Sequence, residues 1–120
     1  MASGGLALKS DNFTIAAPGA NTNILSTALT PSMGGYFQVF VVLATTSVLN
    51  MMEARSGTTY TIGLNKSTAL VSGDGYTFTF PVSPSSTYNF QVETDSIIRV
   101  LRVMEVSDPA GLTGAQGNAT

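Results

Sequence analysis

Short apolar segments rich in β-branched and aromatic residues recur about every eight to twelve residues, separated by clusters of Gly, Pro, Asn and Ser. This spacing is typical of an antiparallel sandwich or barrel. We therefore predict an all-β fold, an antiparallel β-sandwich of about eight strands with jelly-roll or other Greek-key topology and extended terminal arms. The predicted strands are 13–17, 23–29, 36–45, 48–55, 58–64, 76–82, 88–93 and 97–106, with 68–71 as a weaker ninth.

The chain of 120 residues has room for one domain with a single core. We place the sandwich at 12–106. Residues 1–11 are small and Gly-rich apart from Leu6 and Leu8, and they are assigned to an N-terminal arm. Residues 107–120 are assigned to a C-terminal tail because of their Pro, Gly and Ala content.

The clearest alternation of apolar and polar residues lies in 76–82, which predicts one core face and one open face. Pro81 indicates that this strand lies at a sheet edge or bends there. Loop 83–86 is predicted to close a hairpin with 88–93. Tight turns are predicted at 55–58 and 72–75, where Gly57 and Gly73 relieve the cost of positive φ.

Two segments carry apolar residues on both faces. In 36–45 this pattern predicts a central strand under a covering layer, or a strand that a neighbouring chain buries. In 97–106 the two faces are interrupted by Arg99 and Arg102, and arginine suits a partly buried interface. The alternative is that these arginines pair within the chain, with acidic residues at 93, 95 or 105.

Composition narrows the function. The chain has no His and no Cys, which removes the usual catalytic acid, base, nucleophile and soft metal ligand. Glu93 and Asp95 have the spacing of a carboxylate pair but no recognisable catalytic context, and Asp74 lacks the pattern of a calcium loop. We expect no enzyme activity, no catalytic or metal-binding residue and no cofactor.

Charge and hydropathy bear on the partners. Five basic residues, scattered and outnumbered by seven acidic ones, make no footprint for nucleic acid. The longest apolar run, within 37–44, is far shorter than the roughly 20 residues of a membrane span. The N-terminus lacks the pattern of a signal peptide, so we expect synthesis in a cytoplasm and no membrane partner. So few charges favour a permanent assembly.

The chain resembles a known class. A small all-β protein without Cys or His, low in charge, rich in Ser, Thr, Gly and Ala and with arms at its ends, is similar to the decoration or cement proteins of tailed bacteriophages and related viruses. The run 21–31, followed by 36–41, resembles short β-sandwich proteins of phage structural modules. The resemblance covers roughly 12–106 and includes no diagnostic motif.

The resemblance implies a non-enzymatic protein of the virion that binds and stabilises an assembled capsid shell. Its partners would be the major capsid protein and further copies of itself, most plausibly in a trimer, with an arm across neighbouring subunits. On this hypothesis Leu6 and Leu8 anchor the arm, and Arg99 and Arg102 are the other candidate interface residues. The alternatives are a tail, baseplate or spike component, or a carbohydrate-binding module with a platform of tyrosines.

Overall fold

A computed structural model describes residues 6–107 of the chain. This part forms seven strands in two antiparallel sheets and contains no α-helix. One sheet has the strand order β1-β7-β2-β5, and the other has the order β4-β3-β6. The strands are β1 (Leu6–Ile15), β2 (Tyr36–Leu43), β3 (Leu49–Arg55), β4 (Thr58–Gly63), β5 (Gly75–Pro81), β6 (Thr87–Val92) and β7 (Ile98–Val106), with a short 3₁₀ turn at Leu64–Ser67.

The predicted all-β, sandwich-like fold is confirmed. The sheets face each other across a core to which alternate residues of β2, β3, β6 and β7 contribute, and the ring of Phe37 on β2 lies 5.4 Å from that of Tyr88 on β6. Strands β2 to β7 begin and end within two residues of the predicted bounds. Alternation is a reliable signal in β2, β5 and β7, where the side facing the core is more buried than the outer side.

The order of the strands is compatible with the predicted jelly roll. Segment 21–29 runs beside β6 and occupies the place of a further strand. Among the strands within 6–107, only β3 and β4 form a hairpin of neighbours. Its turn has positive φ at Gly57, as the sequence predicts, and also at Ser56. Pro81 ends β5 at a sheet edge, which is also as predicted.

The predicted hairpin at 83–86 is wrong. The loop passes from one sheet to the other, because β5 and β6 belong to different sheets. The backbone N–H of Val82 donates to Gly35, next to β2, whereas that of Tyr88 donates to Leu29. A strand, a polar loop and a second strand give the same local sequence pattern whether the loop joins neighbours in one sheet or crosses to the other sheet.

The predicted strand 23–29 is not regular either. The backbone N–H groups of Asn21, Ile24 and Leu29 donate to β6 at uneven intervals, whereas a strand bonds the same neighbour at every second residue. The buried amide of Asn89 replaces the missing ladder, since it accepts from the Leu25 N–H at 3.0 Å and donates to the Leu25 carbonyl at 2.9 Å. Segment 68–71 holds only an isolated bridge, between Ser47 and Leu70.

The N-terminal arm assigned to 1–11 is, where the structure describes it, part of the sheet. Residues 6–11 form the first half of β1, which pairs antiparallel with β7. A register shift between Leu8 and Ser10 and a positive φ at Thr14 interrupt the period of two, so the sequence pattern does not extend back to Leu6. Residues 1–5, and the tail beyond Ser107, lie outside the described residues.

A buried carboxylate fixes the loop that enters β2. Glu105 on β7 is fully buried, and the Ser32 N–H lies 2.9 Å from both of its carboxylate oxygens. The Met33 N–H donates to Oε2 at 2.6 Å, and the Lys9 Nζ lies 3.6 Å from Oε1. Lys9 also donates to the Ser32 hydroxyl at 3.1 Å, so β1, β7 and the loop meet at one charge cluster.

The environment of Glu105 favours its ionised form. Burial raises the pKa of its carboxyl, but hydrogen bonds from the backbone at Ser32 and Met33, and then the charge of Lys9, together hold the pKa below the ordinary value of 4.5. A buried charge that is bonded on several sides is stable in place, whereas the same charge without its donors costs several kcal/mol.

This pKa predicts how stability varies with pH. Because the folded pKa lies below the unfolded one, Glu105 contributes its full stabilisation above about pH 4.5 and loses it as the pH falls through the lowered pKa. We expect Glu105→Gln to reduce the free energy of unfolding at neutral pH by about 2 kcal/mol and to weaken its dependence on acid pH.

Urea unfolding from neutral pH to about pH 3 measures both effects. The matched control is Asp74→Asn, which neutralises an exposed carboxylate in the turn before β5 and should change stability little. Equal losses of stability in acid for the wild type and Glu105→Gln would show that this carboxylate does not fix the loop.

Candidate interaction face

The side of the four-stranded sheet that points away from the core is a grid of mostly apolar residues. Paired residues on adjacent strands point to the same side of a sheet, so the strand registers define rows across all four strands. We call this surface the outer face. Its rows are Leu6, Val106, Tyr36 and Pro81; Leu8, Met104, Gln38 and Thr79; Asp11, Arg102, Phe40 and Thr77; and Phe13, Val100, Val42 and Gly75.

Large apolar side chains on the outer face are open to solvent. Leu6 is 70%, Phe13 63% and Leu8 56% exposed. Phe40, in the middle of the sheet, is also exposed. A contiguous exposed apolar patch is uncommon on a monomer and marks a surface that contacts something else.

The outer face carries one positive and one negative side chain, and these two form an ion pair. The Arg102 Nε donates to Asp11 Oδ1 at 3.2 Å. The guanidinium also lies 6.0 Å from the centre of the Phe13 ring, a cation–π distance. The pair leaves the face with no net charge, so a partner that covers it meets no uncompensated ion.

The ring of Phe40 reaches over Gly75, its diagonal neighbour on β5, which has no side chain. A Cβ on Gly75 would stand 2.9 Å from Cε1 of Phe40, which is closer than carbon atoms approach in proteins. The absence of a side chain at Gly75 lets the ring cover β5, and Gln38, Phe40, Thr77, Arg102 and Met104 line a shallow depression around it.

The structure brings together three of the four residues that the sequence suggested for an interface. Leu6, Leu8 and Arg102 share the outer face. Arg99 lies at the break in register between Ile98 and Val100, where it is exposed and forms no ion pair with a residue in 6–107. The suggested pairing of the arginines with residues 93, 95 or 105 is also wrong for Arg102, whose partner is on β1.

Sequence reasoning missed Phe13 and Met104 on this face. Phe13 was assigned to a strand but its side could not be assigned, because the bulge hides which residues of β1 point outwards. One signal for this face was present in the sequence, namely the apolar residues on both sides of 36–45. The structure places β2 in the interior of its sheet, as predicted, and no described residue covers its outer side.

The other candidate groups form no shared site, and each makes its own contacts within the fold. Glu93 accepts from the Asn50 amide at 3.0 Å and Asp95 accepts from the Gly19 N–H at 2.8 Å, so the two carboxylates bind different partners. The four tyrosines form no common platform, because Tyr88 is buried and the others lie on different strands and sides. Burial raises the pKa of the Tyr88 hydroxyl, which accepts from the Ser83 N–H and donates to Glu53.

A second concavity separates β1 from segment 24–29. It is lined by the inward residues Ser10, Asn12 and Ile15 and by the segment itself. Within 6–107 no three acidic side chains converge as a metal site would require, and no helix is long and apolar enough to cross a membrane.

Comparisons with protein-family models, with curated proteins and with solved structures find no match to this chain. The outer face therefore has to be interpreted from its own residues.

Because the side chains of the outer face are exposed, we predict that they matter little for folding. Leu8→Thr and Phe13→Thr should each change the free energy of unfolding by less than about 1 kcal/mol, a range that includes the loss of the cation–π contact. Leu101→Ala, on the buried side of β7, should cost about 2–5 kcal/mol. Urea unfolding compares the three; a large loss in Leu8→Thr or Phe13→Thr would assign the outer face to the core.

Proposed function

We propose that this protein is a non-enzymatic structural protein of a virion, which binds an assembled capsid shell through its outer face and stabilises it as decoration or cement proteins do. It would be made in the host cytoplasm and act on the capsid surface as a homo-oligomer. The observation that carries the proposal is the exposed apolar grid with a self-neutralised ion pair. The fold is compatible with the proposal but is not its basis, since one fold serves many functions.

The size of the outer face fits a protein that binds at many repeated positions. Spacings within and between strands give the grid on the order of 500 Å². A standard specific interface buries roughly 800 Å² on each partner, so one such contact is weak. On a shell the contact is repeated, and a ligand that binds the assembled form but not the free subunits favours assembly by mass action.

The position of β1 supports contact with a protein neighbour. β1 is an edge strand, so its open side offers backbone groups for pairing beside the exposed Leu6 and Leu8. The charges of Lys9 and Asp11 and the bulge limit indiscriminate pairing along the same edge. A partner then gains affinity from the main chain and from the apolar side chains together.

Co-sedimentation with assembled capsid shells of tailed bacteriophages, compared with their unassembled subunits, tests the proposal. We expect the wild type to sediment with shells only, and the double variant Leu8→Thr/Phe13→Thr to bind at least about tenfold more weakly, since each truncation removes a buried apolar contact.

The control is Val71→Thr, which removes a comparably exposed apolar side chain from the loop before β5, outside the rows of the outer face. Equal binding by the double variant and the wild type would contradict the assignment of the face. If the wild type ignores shells but binds tail, baseplate or spike proteins through the same residues, the protein belongs to another part of the virion.

A further inference from the structure

Strand β4 lies outside the body of the sandwich. It pairs with β3 on one side only, and it is the last strand of its sheet. Tyr60 is 46% and Ile62 41% exposed, although in register Ile62 stands beside the buried Met51. On the side of β4 that would normally belong to the core, the Arg55 guanidinium lies 5.4 Å from the centre of the Tyr60 ring, and the side chains of Arg55, Tyr60 and Ile62 remain open to solvent.

The edge of β4 also lacks the devices that keep sheet edges apart. Natural edge strands are blunted by charges, prolines, bulges or covering loops. β1 has a bulge and two charges, β5 ends in Pro81, and β6 is covered by segment 21–29. β4 has the sequence Thr-Thr-Tyr-Thr-Ile-Gly, pairs with β3 without a bulge and carries no charge and no proline.

The hairpin turn determines which backbone groups of β4 face outwards. A two-residue turn makes the flanking residues, Arg55 and Thr58, a hydrogen-bonded pair, and such pairs alternate along an antiparallel ladder. Tyr60 is then directed towards β3. The N–H and C=O groups of Thr59 and Thr61 point to the open edge.

The other side of β3 gives the same result. The main chain of Tyr88 bonds away from β3, to Leu29, so the neighbouring Asn89 faces β3 and pairs with Met52. Glu53, the next residue on β3, therefore faces β4, as the turn requires.

We infer that β4 pairs with β4 of a second copy of this chain about a two-fold axis at Tyr60. Thr59 of each copy exchanges N–H···O=C bonds with Thr61 of the other copy. The two Tyr60 side chains stand opposite each other, and Ile62 stands opposite Thr58 of the second copy. The two three-stranded sheets join into one, and the product is a dimer rather than the trimer that the resemblance implies.

Charge and length favour a second copy of this strand as the occupant. The strand itself is uncharged, and the two Glu53 carboxylates stand three strand spacings apart, about 14 Å, which is beyond the screening length of about 8 Å at physiological salt. The nearest charge is that of Arg55, which lies against the Tyr60 ring in a cation–π contact. The seam is limited to 58–62 by the hairpin turn at one end and, at the other, by the 3₁₀ turn, in which Ser67 packs directly against Gly63. The centre of that span is Tyr60.

The absence of cysteine from the chain permits a clean test by disulfide trapping. In the inferred register, Tyr60→Cys places two thiols in a non-hydrogen-bonded pair with Cα atoms about 4.5 Å apart, within the range of a disulfide. Thr61→Cys is offset by two residues from its own copy, more than about 7 Å, and cannot be bridged. We expect mild oxidation to convert most of Tyr60→Cys to a dimer on a non-reducing gel, at least about fivefold more than Thr61→Cys.

Phe13→Cys is the control for random collision, because Phe13 is more exposed than Tyr60 but lies on the outer face. Preferential trapping at Tyr60→Cys supports the seam. Equal trapping at all three positions, or none at Tyr60→Cys, overturns it.

A pair of charge variants tests the register without cysteine. Both variants change only Thr59 and Thr61, whose side chains are exposed in the monomer. Thr59→Lys/Thr61→Lys opposes like charges twice across the seam, whereas Thr59→Lys/Thr61→Glu opposes unlike charges twice. Sedimentation equilibrium should show the second variant dimerising at least about tenfold more tightly than the first. Equal dissociation constants for two folded variants would refute the pairing.

The inference stands apart from the proposed function, because it rests on β4 and not on the outer face. If Leu8→Thr/Phe13→Thr loses shell binding while Tyr60→Cys still forms the disulfide dimer, both surfaces are assigned. If the dimer forms but no shell is bound by the wild type, the proposed function fails and the β4 contact remains.

Discussion

The architecture depends on the buried carboxylate of Glu105. A charge with no exposed surface is tolerated only where donors surround it, and the donors here come from the loop before β2 and from Lys9 on β1. The same group therefore joins the first strand, the last strand and the start of β2. These three strands carry most of the outer face, so the cluster anchors the sheet that forms it.

The two sides of the four-stranded sheet differ in what covers them. The inner side carries the large residues of the core, among them Phe37, Leu101 and Val103, which are fully buried. The outer side carries apolar residues that the chain itself does not cover, and its single ion pair is internal. Within 6–107, the outer side carries only two of the chain's charges, and these neutralise each other, which fits a surface that is buried in an assembly.

Strands with unbroken alternation could be predicted from the sequence, and β5 and β6 are the clearest examples. β1 could not, because its bulge and the positive φ of Thr14 shift the pattern between two halves. The partition of strands between sheets was also out of reach, since loop 83–86 has the composition of a hairpin although it crosses the sandwich.

The candidate site was predictable only in part. Leu6, Leu8 and Arg102 were recognised by type, but their common face depends on the register of β1 with β7, which no local pattern encodes. Arg99 lies apart from these three because it sits at an irregularity in the register of β7 with β2. The exposure of β4 was not foreseen, since Tyr60 and Ile62 alternate as core residues do.

The most direct measurement of the central claim is hydroxyl-radical footprinting of the protein free and bound to capsid shells. The account predicts that the oxidation rates of Phe13, Phe40 and Met104 fall several-fold on binding, as expected for side chains that become buried. Met33, on its exposed loop, should react as before. Protection at Met33 with unchanged reaction of the outer face would contradict the account.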